Sequence, residues 1–272
     1  MAGEPGPQDH QTVLTAEETG GLGELRIQHP PGTFALTPAS HIALEAIGDH
    51  QRLLAGNGID WGTGTGCLAI VAAKIGAVRR VVGLDISVQN VESARRNAAL
   101  NGAAEKTAFF VADSYVPTSE PGRQALQSLR GCTDFILANP PSSDGDDGFS
   151  FRRLVLDGAR QFLTPGGLIF LNISYQYGQA RIDQLSRQFA KFQHNGVLAS
   201  TEWVPFDLQR PDLLDCLVAY AAEEARGGAS YAFIDPGVPG RSMDARTALA
   251  GFQRTGLSPL TRWQTHLFRF TG

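Results

Sequence analysis

Residues 57–70 read Asn-Gly-Ile-Asp-Trp-Gly-Thr-Gly-Thr-Gly-Cys-Leu-Ala-Ile, and the order of these residues decides the fold. A short strand-like run meets a turn with Gly62, Gly64 and Gly66 at every second position, and an apolar helical stretch follows. Glycines spaced this way let the chain turn tightly at the end of a buried strand and let a ligand approach the backbone closely. A nicotinamide-binding fingerprint would place a glycine at the end of Gly-x-Gly-x-x-Gly. Here that position holds Cys67 or Ala69, and alanine passes in the looser form. Asp60 discriminates better. Its carboxylate, two residues before the first glycine, would repel a pyrophosphate and tolerate a ligand carrying a positive amino group and sulfonium.

Outward from this turn, strands are predicted at 58–61, 80–85, 107–112, 134–138 and 168–173. Helices are predicted near 66–76, 88–101, 122–130 and 149–163, with Gly166-Gly167 as the stop of the last. Apolar runs without polar alternation suit strands buried on both faces, so the chain reads as parallel α/β. Upstream, 24–29 alternates like a strand, Pro30-Pro31-Gly32 turns, and Pro38 opens a helix with Ile42, Ala43, Ala46 and Ile47 on one face. Downstream come a helix near 179–193 and strands at 197–204 and 263–270.

The organisation expected is a mobile tail (1–20), a strand/helix lead-in (21–56), a ligand-binding core (57–206), a helical insertion (207–262) and a last strand (263–272). The insertion carries predicted helices at 211–226 and 243–255. It is too long for a hairpin and reads as a cap over the site or a homodimer surface.

Composition sets bounds. The 272 residues are 42% hydrophobic and 18% charged, with a net charge of −4. Such a chain buries a core, and neither the lead-in nor the insertion is basic, which argues against a nucleic-acid partner. Cys67, Cys132 and Cys216 form no disulfide framework, and no metal-ligand spacing or Ser-His-Asp order stands out, so no metal is expected. No apolar run reaches membrane-spanning length, and the first residues lack the regions of a secretion signal; a cytoplasmic protein is expected. Residues 143–148, Ser-Asp-Gly-Asp-Asp-Gly, read as a solvated lid. Arg152 and Arg153 read as surface charges, and His41 and His266 as packed or partly exposed histidines.

Three acids recur at successive strand ends. Asp85 lies 23 residues after Gly62, placed to accept hydrogen bonds from ribose hydroxyls, and Asp113 is placed for an adenine amino group. At these residues the chain resembles the class I S-adenosylmethionine-dependent methyltransferases, across 33–206. The resemblance implies a Rossmann-like seven-stranded sheet with its last strand antiparallel and helices on both faces. It also implies S-adenosyl-L-methionine as cofactor, held by Asp60, Gly62, Thr63, Gly64, Gly66, Asp85, Ile86, Asp113, Ser114 and Asn139.

Asn139-Pro140-Pro141-Ser142 follows the fourth strand. The prolines hold the backbone extended and remove its N–H donors. The acceptors left are the Asn139 side-chain oxygen and the Pro140 carbonyl, which together can hold an –NH2 group and orient its nitrogen toward a methyl donor. This resembles the amino-methylating branch of the family. Thr33-Phe-Ala-Leu-Thr-Pro and the Gly148-to-Gly167 segment further resemble the release-factor glutamine methyltransferase type. The implied catalytic residues are Asn139 and Pro140, and the acceptor is the planar nitrogen of a protein side chain. Small-molecule or RNA/DNA amino methylation and a non-catalytic cofactor-binding scaffold are the other readings. One departure is Ser142, where that branch carries an aromatic that stacks on the substrate. Phe34, Phe149 or Tyr175 is expected to substitute, with Pro141 and Ser142 also at the acceptor.

Overall fold

The computed structural model describes residues 10–142 and 147–272. A hairpin of β1 (Gln11–Leu14) and β2 (Leu25–Gln28) precedes α1 (Pro38–Asp49). The alternating region contains β3 (Gly56–Trp61), α2 (Cys67–Lys74), β4 (Val78–Asp85), α3 (Val88–Leu100), β5 (Thr107–Asp113), β6 (Val116–Pro117) and α4 (Glu120–Gln127). It continues through β7 (Thr133–Ala138), α5 (Ser150–Ala159), β8 (Leu163–Asn172), α6 (Gly178–Gln188) and β9 (Phe192–Ser200). The rest is β10 (Val204–Pro205), α7 (Pro211–Ala225), β11 (Phe233–Ile234), β12 (Ser242–Met243), α8 (Ala245–Thr255), β13 (Leu260–Thr261) and β14 (Gln264–Phe270).

The main sheet runs β6-β5-β4-β3-β7-β8-β14-β9. Strands β3, β4, β5, β7 and β8 pair in parallel, and β14 lies antiparallel between β8 and β9. This is the expected seven-stranded sheet with its last strand reversed. The two-residue β6 adds an antiparallel edge beside β5.

Side chains alternate across the sheet, and two cores result. Phe135 and Leu137 of β7 join Leu168 and Phe170 of β8 against α1, α2 and α3. Their neighbours Ile136, Ala138, Ile169 and Leu171 face the other way, against α5, α6 and α7. Helix α1 starts where Thr37 and Ser40 cap each other, with Pro38 in the first turn, and it buries Ile42, Ala43, Ala46 and Ile47.

Four expectations are corrected. Residues 10–20 are folded: β1 pairs with β2, Leu14 and Thr19 are buried, and Gly20 lies against Gly48 so closely that a side chain there would clash with backbone. The remaining tail, 1–9, lies outside the described residues, as does most of the expected lid. Helix α5 ends at Ala159, and Gly166-Gly167 sits inside β8, which starts at Leu163. The strand predicted at 197–204 is two pieces, β9 and β10. The insertion carries its own small sheet, β10-β13-β11-β12, beside helices α7 and α8, so it starts at Val204, where β10 pairs with β13.

Arg181 of α6 ties this insertion to the core. It is buried, pairs with Glu223 at 3.1 Å, donates to the carbonyls of Ala229 and Ser230, and lies 3.8 Å over the Tyr231 ring.

Candidate functional site

The carboxyl ends of β3, β4, β5, β7 and β8 open into a cleft of about 580 Å³, within the usual range of small-ligand sites. The glycine turn forms one wall. Gly62, Gly64 and Gly66 all take positive φ, at 67°, 54° and 89°. A Cβ on Gly62 would meet nothing within 4 Å, whereas one on Gly64 would come 3.0 Å from the Phe34 ring. The turn therefore presents open backbone on one side and a close aromatic neighbour on the other.

Asp85 fastens this turn. Its Oδ2 accepts from the Gly64 N–H at 2.8 Å, and its Oδ1 accepts from the Ser87 N–H at 2.8 Å and from Asn90 Nδ2 at 3.1 Å. One lone pair on Oδ2 remains for a ligand. Asn90 in turn accepts from the Phe34 N–H at 2.9 Å, which sets Phe34 over the glycines.

Asp60 does not meet the cleft, which corrects the expectation for it. It is fully buried behind the turn, where Oδ2 accepts from Thr63 Oγ1 at 2.6 Å and from the Ala69 N–H at 3.0 Å. Its Oδ1 is buried without a hydrogen-bond partner. Burial pushes this carboxyl up to about 7, against the lowering effect of its two donors. Gly66 is likewise absent from the cleft: its left-handed backbone caps α2 and packs on Ala94. Burial also raises the Cys67 thiol to about 12.

Asp113 and Ser114 line the cleft beside Trp61, whose Nε1 donates to Ser114 Oγ at 2.9 Å. Ser114 is the one non-glycine at positive φ among the described residues, at 53°. Ile86, 74% exposed, and Phe34 stand at the rim.

On the opposite side Asn139, Pro140, Pro141 and Ser142 form the turn after β7. Asn139 Oδ1 accepts from Asn172 Nδ2 at 2.9 Å, and its Nδ2 points to Ser40 Oγ at 3.4 Å. Arg152 is the main correction here. Instead of a surface charge it is 3% exposed, and its guanidinium donates to the carbonyls of Pro140 at 3.3 Å, Pro141 at 3.1 Å, Gly148 at 3.0 Å and Asn172 at 3.0 Å. The rings of Tyr177 and Phe149 lie 4.8 and 5.4 Å away. Arg153 pairs with Asp147 as a half-buried ion pair. His266 is buried, bonded to His194 and to the Ile173 carbonyl, and desolvation drives it down to about 3.

Beyond this turn the wall comes from Tyr177, Phe206, Trp263 and the α7 residues Leu213, Cys216 and Tyr220. Phe149 is buried in the core against Tyr177, and Tyr175 packs on Trp203 at 4.8 Å; neither lines the cleft, so both are withdrawn as acceptor contacts. Sequence reasoning missed Asn90, Asn172 and Tyr177. A polar residue closing the apolar run Leu-Ile-Phe-Leu-Asn172 is the one local signal that pointed to any of them.

The sequence pattern of the methyltransferase small domain matches residues 24–198, so the insertion lies outside it. A release factor glutamine methyltransferase of Thermodesulfovibrio yellowstonii is 28% identical over 59% of this chain and 62% of its own length. A ribosomal protein L11 methyltransferase of Pseudomonas putida is 43% identical over 61% of this chain and 49% of its own. The T. thermophilus 16S rRNA N2 G1207 methyltransferase, solved in complex with AdoMet and guanosine, matches with a TM-score of 0.52 at 27% identity, covering 68% of this chain and 47% of that one. The chain thus spans less than two thirds of the length of these relatives.

Proposed function

The chain belongs to the methyltransferase small domain family, and from that premise we propose that it moves the methyl group of S-adenosylmethionine to the planar amide nitrogen of a protein side chain. The observation that carries this reading is one cleft joining an open glycine turn, an acid with a free lone pair and two carbonyl-type acceptors on a proline-stiffened turn.

The residues fit the cofactor. The space beside Gly62 leaves room for a ligand against the backbone, and Asp85, Asp113 and Ser114 offer oxygens along the same wall. When bound, S-adenosylmethionine supplies an electrophilic methyl on a sulfonium. Asn139 Oδ1 and the Pro140 carbonyl each hold one bond already, from Asn172 and Arg152, and each keeps a lone pair for an acceptor N–H. Two such bonds orient the nitrogen and favour the charge it gains as it attacks. The apolar wall of Phe206, Leu213 and Trp263 keeps water from competing.

The insertion serves this reading as a cap. Its helix α7 turns Leu213, Cys216 and Tyr220 to the cleft and buries Leu217 and Ala221 within the chain, while Val218 stays 48% exposed. No helix among the described residues is long and apolar enough to cross a membrane, and an acceptor in the translation machinery would place the enzyme in the cytoplasm.

The test is transfer of label from tritiated S-adenosylmethionine to three purified acceptors: a release factor, ribosomal protein L11 and 16S rRNA. Labelling of the release factor at a glutamine supports the proposal. Labelling of L11 alone would move the acceptor to another protein nitrogen, and labelling of rRNA alone would replace the protein reading with an RNA one.

A further inference from the structure

We propose that Asn172, at the end of β8, is a positioning residue that sets which way the Asn139 amide faces; this rests on the methyl-transfer reading above. An asparagine amide presents an oxygen or an NH2 group, and only its surroundings choose between them. The surroundings here leave one choice. The Ala39 carbonyl is an acceptor only, and it lies 2.7 Å from Asn172 Nδ2, so that atom must be the NH2 group. The same NH2 group lies 2.9 Å from the Asn139 side chain, which must therefore turn its oxygen toward Asn172. Asn172 Oδ1 is satisfied separately by Thr265 Oγ1 at 2.6 Å.

The frame is buried and shared. Asn172 is 3% and Thr265 1% exposed, and the four groups come from α1, the turn after β7, β8 and β14. Arg152 completes it by donating to the main-chain carbonyl of Asn172 and to the carbonyl of Pro140. One guanidinium therefore fixes the backbone beneath both the orienting and the oriented asparagine. The second lone pair of Asn139 Oδ1 is left for an acceptor N–H, on the same turn as the Pro140 carbonyl. Were the amide reversed, Asn139 would offer an NH2 donor to an acceptor that itself only donates there, and the pair of bonds would be lost.

Asn172→Asp tests this. The carboxylate keeps the shape but cannot donate, so it would face the Ala39 carbonyl and Asn139 Oδ1 acceptor to acceptor. With S-adenosylhomocysteine bound, the side-chain amide NMR signals of Asn139, assigned by their loss in Asn139→Ala, are expected to shift. Cofactor-product affinity should stay within about threefold. Methyl transfer to the release factor should fall about 30- to 100-fold, the scale of a misplaced catalytic group. Unmoved Asn139 signals overturn the proposal, as does near-normal transfer by Asn172→Asp when Asn139→Ala is inactive. If Asn139→Ala itself transfers normally, the site reading fails instead, while the NMR result still decides how Asn139 is oriented. Should Asn172→Asp not fold, Thr265→Val removes only the partner of Asn172 Oδ1. It should shift the same signals with a smaller loss, about threefold to tenfold, and unmoved signals in that variant overturn the proposal equally.

Discussion

Tyr220 Oη and Ser142 Oγ lie 3.3 Å apart although 78 residues separate them in the chain. The contact joins the insertion to the turn that ends β7. Tyr220 also donates to Tyr177 Oη at 3.2 Å, and its ring stacks on Tyr231 at 4.0 Å and 16°. With Arg181 over Tyr231, the result is a cation–ring–ring stack that holds Tyr220 still. A small residue at 142 leaves space at the turn, and the insertion brings an aromatic to it from a distance.

Tyr220→Ala should therefore separate the two halves of the cleft. Binding of S-adenosylhomocysteine, measured by calorimetry, should change less than about twofold, because the bonds and ring contacts of Tyr220 run to Ser142, Tyr177 and Tyr231 and not to the glycine turn. Transfer to a protein acceptor should fall about 10- to 100-fold from lost aromatic contact, on the scale of about 1–3 kcal/mol for stacking. Tyr220→Phe keeps the ring and should keep most of the activity. A Tyr220→Ala enzyme with wild-type KM and kcat would remove the insertion from the acceptor site.

Asp85 carries the other half. Its carboxylate accepts from Gly64, Ser87 and Asn90, so Asp85→Ala should loosen the glycine turn as well as remove the proposed ligand contact. A charge-assisted hydrogen bond contributes about 1.5–3 kcal/mol, or roughly 10- to 150-fold in affinity. Titration of the folded variant with S-adenosylhomocysteine should show a loss on that scale. Unchanged affinity, or tighter binding of NAD than of S-adenosylhomocysteine by the native protein, would contradict the cofactor assignment.

The core is legible because its signals are local. Apolar runs without alternation, separated by helical spacing and one glycine turn, are enough to place five parallel strands. The parts that escape depend on distant partners. Strand β1 is four residues long and mostly exposed, and only pairing with β2 makes it a strand. Arg152 looks like a surface charge at the start of an amphipathic helix; what buries it is a ring of carbonyls, two of them on prolines that have no N–H of their own to offer. Tyr175 and Tyr177 sit in one short turn, two residues apart, and composition does not say which faces inward. Asp60 reads as a ligand group because the turn's order is visible in sequence, while the inward aim of its side chain toward Thr63 and Ala69 is not.

That inward aim has a pH consequence. The Asp60 carboxyl is raised by burial to about 7 in the folded chain, from an ordinary value of 3.8. Between these values the folded state binds more protons than the unfolded one. The stability that Asp60 contributes is thus full below about 3.8, is lost progressively as pH rises, and is gone once pH has passed through about 7. Asp60→Asn cannot ionise and should lack this decline. Melting temperatures of both proteins across a range of about pH 4 to 8 check it. The variant's Tm relative to the native protein's should rise steadily with pH and level off once Asp60 has ionised. A difference that stays flat across this range would mean that Asp60 is ionised throughout.

Arg152 offers the sharpest contrast between two similar side chains. Its fork reaches four carbonyls at once, and no carboxylate among the described residues is bonded to it. Lysine keeps the charge but is a compact ammonium with three donors, so Arg152→Lys must leave carbonyls unmet and a buried charge poorly solvated. Breaking a buried charged network commonly costs about 3–5 kcal/mol. For a chain of this size that is on the order of a 10 °C fall in Tm. The glycine turn lies on the far side of the cleft, so binding of S-adenosylhomocysteine below Tm should change little. Transfer should fall further than stability alone accounts for, because the Pro140 carbonyl and the Asn172 backbone lose their common anchor. Arg152→Lys with native Tm would show that the guanidinium is not holding the turn; native turnover at reduced Tm would show that the turn keeps its shape without it.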